Sequence, residues 1–213
     1  MLTARIYKDE WSVDARLAET FGVTRDELVQ VVREVVGARA DAVENDPVSA
    51  AGQFAYIHGT RNIRALFRAR GWVNETIDNI PLVKHPQLGL MVGYQSVDVA
   101  ASDFHSPKAI SGKGAGAERA IDEAQGSLFA LPEWEPDTHV EVPINSGLWH
   151  FCVSVAGDDV RAELSLSSGV SGGNFKGFIE RIFIVGKGEW DAIRLKERED
   201  GGAVEFEPVV LRK

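Results

Sequence analysis

Apolar positions in the first third of the chain recur at helical spacing. Leu17, Ala18 and Phe21 share a face, Gly22 interrupts it, and Leu28, Val31, Val32, Val35 and Val36 resume it. Thr24 followed by Glu27 has the form of a capping box, so residues 12–38 predict two helices joined by a tight turn, with Gly37 ending the second. Residues 38–52 are small, polar and acidic around the breaker Asn45-Asp46-Pro47, which predicts a loop entering a short helix near Ser49. Gln53 to Thr60 fits two patterns. Phe54, Tyr56 and His58 alternate as in a strand, while Phe54 and Ile57 also share a helical face. Arg61 to Arg70 is helical, with Ile63, Leu66 and Phe67 inward and Gly71 as the stop.

Beyond residue 78 the period changes from helical to two. Ile80 to Lys84 and Leu90, Val92 and Tyr94 flank His85-Pro86-Gln87-Leu88-Gly89 and predict a hairpin within 79–99, with Pro81 placing its first strand at a sheet edge. Residues 100–136 hold a Gly-rich stretch, a helical run from Ala117 to Gln125, and Pro132 and Pro136, and read as a connection. Leu148–Ala156 and Val160–Ser167 flank Gly157-Asp158-Asp159 as a second hairpin, whose alternation of Val160, Ala162, Leu164 and Leu166 with Arg161, Glu163, Ser165 and Ser167 predicts one solvated face. Phe178 to Val185 is apolar on both faces except at Glu180-Arg181. It therefore reads as a central strand in which one of those two charges is paired within the fold, since an unpaired buried charge is costly. Ala203 to Leu211 reads as a last strand.

These elements predict an α+β protein: a helical part with a tight helix pair and a β-hairpin over 1–99, an irregular Gly/Pro-rich connection over 100–136, and an antiparallel β part over 137–213. The expected sheet core contains Trp149 or Leu148, Phe151, Val153, Val155, Leu164, Leu166, Ile182 and Ile184. Composition agrees with a globular chain, with 44% apolar and 26% charged residues over 213 positions. The one cysteine, Cys152, lies in an apolar alternating stretch and predicts a buried free thiol of a reducing compartment. The chain offers no apolar run long enough to span a bilayer, and its first residues lack the apolar core of a signal peptide, so the expectation is a cytoplasmic protein without membrane contact.

Charge changes the picture. The net charge is −9, yet residues 1–75 carry 10 Lys/Arg against 11 Asp/Glu and residues 76–213 carry 13 against 21. An acidic chain needs a local basic face to hold a polyanion, and its acidic C-terminal part could instead meet a protein partner. Arg61, Arg64 and Arg68 fall on one helical face, near His58 and Arg70, and guanidinium groups there suit phosphate or carboxylate. The alternative is a solvated face pairing with the protein's own acids.

Leu17 to Val31 resembles the helix-turn-helix of bacterial regulators, with Ala18 between the helices and Gly22 in the turn. That resemblance implies that Thr24, Arg25, Gln30 and Arg33 face DNA. A plain helical hairpin fits the same spacing, and residues 12–39 hold five acids against four arginines. His58-Gly59-Thr60, an apolar helix and Gly71-Trp72 are similar to the opening of the ADP-ribosyltransferase fold. This likeness implies an NAD-using enzyme in which His58 and Gly59 at a strand end bind NAD, Tyr94 stacks on nicotinamide, and Glu163 or Glu180 is the catalytic acid. Asp46-Pro47-Val48-Ser49-Ala50, Tyr56 to Arg61 and Phe178 to Phe183 resemble a family of bacterial proteins, without an assigned activity, encoded on plasmids and integrative elements. The five histidines lack ligand spacing, and no cofactor or metal is expected. The leading expectation is a non-enzymatic, DNA-associated regulatory or accessory protein of a mobile element. The alternatives are a protein-binding or inhibitory factor and the NAD-dependent transferase.

Overall fold

A computed structural model describes residues 4–77, 79–110, 147–171 and 174–200. The Gly-rich stretch from Ser111, the helical run from Ala117 and the strand expected from Ala203 lie outside the described residues. The elements are β1 (Arg5–Tyr7), α1 (Glu10–Phe21), α2 (Arg25–Ala40), α3 (Ala50–Arg68), β2 (Val73–Ile77), β3 (Ile80–Lys84), β4 (Leu90–Ser96), β5 (Gly147–Ala156), β6 (Asp159–Ser171), β7 (Asn174–Val185) and α4 (Glu189–Asp200). The fold is α+β, with the helices mostly N-terminal. Among the described residues, seven strands form one mixed sheet in the order β1-β7-β6-β5-β4-β3-β2, so strands from either side of residues 100–136 share it. Pairs β1/β7 and β4/β5 are parallel and the other four antiparallel.

Local chemistry sets the helix ends. Asp9 caps α1 by accepting from the Ser12 backbone N–H at 2.9 Å. Gly22, at φ 64°, closes α1 in the left-handed conformation. Thr24 and Glu27 complete the capping box at the start of α2. Helix α2 runs past Gly37 to Ala40, because a lone glycine costs only about 1 kcal/mol in a helix whose apolar face is buried. The ambiguous stretch from Gln53 to Thr60 is helical, forming the first half of α3.

The three N-terminal helices pack on one sheet face. Leu17, Phe21, Leu28, Val32, Val35, Ile63 and Phe67 meet Trp149, Phe151, Val153, Leu164, Leu166, Ile182 and Ile184 in one core, as the alternation predicts. The Phe21 and Trp149 rings meet edge to face at 5.0 Å. Cys152, the one cysteine of the chain, is buried and in no disulfide. Among the described residues no helix is long and apolar enough to cross a membrane.

Two expectations are corrected. Pro81 does not mark an edge, because β2 pairs outside β3 along its whole length; Pro81 is tolerated there because β3 pairs with β4 only from Leu82 to Lys84. The second face of β6 is not solvated either, since Glu163, Ser165 and Ser167 are fully buried. The segment after β4 crosses beneath them: the Ala100 N–H donates to Ser154 Oγ at 3.0 Å and the Ala101 N–H to Glu163 Oε2 at 2.5 Å. Alternation reports which residues share a face, and a crossing segment that supplies hydrogen bonds can bury the polar one.

Candidate functional site

Both charges that interrupt β7 are paired, on opposite faces of the sheet. Glu180 turns toward the helices and accepts from Arg16 Nε of α1 at 2.6 Å, while Arg16 also donates to Thr20. Arg181 turns toward the crossing segment, donating to Glu163 at 2.9 and 2.5 Å and to the Ser102 carbonyl at 2.9 Å. Ser165 donates to Glu163 at 2.6 Å. Each carboxylate is thus saturated by the fold, which gives Glu163 and Glu180 a structural role.

That arrangement separates the residues expected to handle NAD. His58-Gly59-Thr60 sits in the middle of α3, not at a strand end. Tyr94 does approach Gly59, but as packing: a Cβ on Gly59 would overlap the Tyr94 ring. Glu180 lies on β7, with β6 and β5 between it and the strand that carries Tyr94. At about 4.8 Å per strand the backbones are roughly 14 Å apart. The expected transferase set is corrected on this geometry: His58, Tyr94 and Glu180 do not form one site. The three-residue motif misled because its glycine answers a helix-to-strand packing need.

The helix pair is real, but the fold occupies part of its expected DNA face. Arg25 donates to the Ile184 carbonyl at 2.8 Å and to Glu189 at 2.5 Å, tying α2 to β7 and α4. Gln30 is exposed and linked to Arg33 and Glu34 along α2.

The arginines of α3 divide in the same way. Arg64 donates to the carbonyls of Leu82 and Glu75 at 3.1 and 2.7 Å, anchoring α3 to β3 and β2. Arg70 reaches the Gly22 carbonyl and Glu27, both at 2.5 Å. Arg61 and Arg68 remain exposed, and neither makes a hydrogen bond or ion pair among the described residues. They stand seven residues apart on one face, about 10 Å along the axis. One sequence signal bears on this face: residues 47–74 hold four arginines and no Asp or Glu, in a chain of net charge −9.

At the other end of α3 lies a cavity of about 800 Å³, lined among others by Arg39, Ser49, Gln53, Tyr56, Tyr94 and Ser96. The Tyr56 and Tyr94 rings are 6.3 Å apart at 59°. Burial pushes the Tyr94 hydroxyl up to about 12, against the opposing effects of its 3.2 Å contact with Ser96 Oγ and the Arg39 charge. It is therefore a protonated hydroxyl at ordinary pH. Sequence reasoning did not single out Arg39 or Tyr56, because their proximity to Tyr94 depends on how the helices sit on β4. Among the described residues no group of three or more His, Cys, Asp or Glu could hold a metal ion. No family model matches the chain, and no curated protein or solved structure matches it.

Proposed function

We propose that the protein is a non-enzymatic, DNA-associated accessory or regulatory protein of a bacterial mobile element, and that it meets the nucleic-acid backbone through the outer face of α3. The carrying observation is that Arg61 and Arg68 are exposed, with no hydrogen bond or ion pair among the described residues, on a helix without acidic residues, in a chain otherwise rich in acids. Unpaired guanidinium groups retain their full capacity to displace counterions from phosphates. The resemblance to mobile-element proteins includes Tyr56 to Arg61, which lie on this helix, and Tyr56, Ile57 and Arg61 are exposed there. The contact falls on α3 rather than α2, because Arg25 is held by the fold and α2 interleaves its polar residues with Asp26 and Glu34.

The test is fluorescence anisotropy with labelled duplex and single-stranded DNA over a salt series. The parent is expected to bind at low salt, and the Arg61→Ala/Arg68→Ala variant to bind all sequences more weakly, with the log–log salt slope flattened by about 2 units. Absence of binding by the parent at low salt, or an unchanged slope in the folded double variant, would remove nucleic acid and leave a protein partner.

A further inference from the structure

We propose that the cavity between α2, α3 and β4 binds a small anion that carries a planar ring, of mononucleotide size. Arg61 and Arg68 of the α3 outer face do not line this cavity.

The volume, about 800 Å³, lies in the range of small-molecule sites. Arg39, in the last turn of α2, is half-buried in its wall and has no hydrogen bond or ion pair among the described residues. By contrast, Arg16, Arg25, Arg64 and Arg70 of the same helical layer each have protein partners. A partly desolvated cation left open to a cavity is a recognition group for phosphate or carboxylate. Tyr94 lines the same cavity, so the cation and a protonated hydroxyl border one space. The acid-free first turn of α3 forms another part of the wall, where the Gln53 amide donates to Ser49 Oγ at 2.8 Å.

The planar ring is assigned by Tyr56. Tyr56 is 44% exposed and lines the cavity, its ring tilted 59° from that of Tyr94, and an exposed aromatic ring in a cavity wall suits stacking. Phosphate and carboxylate ligands share this chemistry, and the experiment separates them.

Isothermal titration of the full chain with adenosine 5′-monophosphate, 4-hydroxybenzoate, adenosine and inorganic phosphate tests the site. At least one of the two ring-bearing anions is expected to bind saturably, and which one binds more tightly assigns phosphate or carboxylate. Arg39→Met and Tyr56→Ala should each weaken that ligand at least tenfold while the thermal midpoint stays near the parent's. Arg61→Ala/Arg68→Ala should leave its affinity unchanged, so failure here is distinguishable from failure of the nucleic-acid reading. No binding of either ring-bearing anion at millimolar concentration would overturn the proposal. So would equal affinity for inorganic phosphate or adenosine, or a folded Arg39→Met protein that binds as the parent does.

Discussion

Gly59 shows how one missing side chain can shape a structure. It lies inside α3, where alanine is normally favoured by about 1 kcal/mol, yet a methyl there would overlap the Tyr94 ring. Gly59→Ala is expected to lower stability by roughly 1–3 kcal/mol, the usual cost of overpacking, as measured by urea unfolding. A neutral or stabilising result would show that the ring can move aside. Tyr94 itself predicts an alkaline response. Its folded-state value, about 12, lies above the ordinary value of 10.0, so the neutral form is favoured by folding. That contribution is fully present below pH 10 and is lost as pH rises toward 12, on the order of 3 kcal/mol in total. Chemical unfolding of parent and Tyr94→Phe between pH 9 and 12 should show the parent losing more stability across that window. Parallel profiles would refute the assignment.

At the scale of elements, Arg16 and Glu180 join α1 to β7 across the core, each about 96% buried. Removing one partner of such a pair strands a charge and typically costs about 3–5 kcal/mol, whereas replacing both by apolar residues is often neutral. Glu180→Leu alone should therefore destabilise more than Arg16→Met/Glu180→Leu, as read by a double-mutant cycle in urea. Additive losses would show that the ion pair carries no coupling. The sequence made part of this legible: a charged dipeptide within an apolar strand implied a partner, and the structure gives one to each residue. It could not identify Arg16, which looks like any polar position of an amphipathic helix. The helix pair, both hairpins and the apolar face of β6 were legible for the same reason, since each is written in local periodicity or capping. Strands β1 and β2 were not. Three residues are too few to show a period, and Val73-Asn74-Glu75-Thr76-Ile77 has little apolar content because most of it faces solvent at the sheet edge.

At the scale of the whole molecule, what the sequence concealed is long-range. The crossing segment, the sharing of one cavity wall by Arg39 and Tyr94 and the separation of Tyr94 from Glu180 all depend on how elements distant in sequence are arranged, which a single sequence does not state. The candidate site was legible only as an excess of arginine. Which arginines are engaged is decided by carbonyls and carboxylates that arrive from other elements, as Leu82, Glu75 and Ile184 do.

The parallel pairing of β1 with β7 has a consequence for biosynthesis. Arg5 registers with Glu180, so β1 is completed by a strand made much later in the chain. At roughly 5–20 residues per second, β1 waits on the order of ten to thirty seconds on the ribosome for its neighbour. Throughout that interval Arg16 also lacks its carboxylate, and the apolar face of the nascent helical layer has only part of the sheet to cover it. The N-terminal helices are therefore expected to be the segment most in need of shielding until β7 has been made.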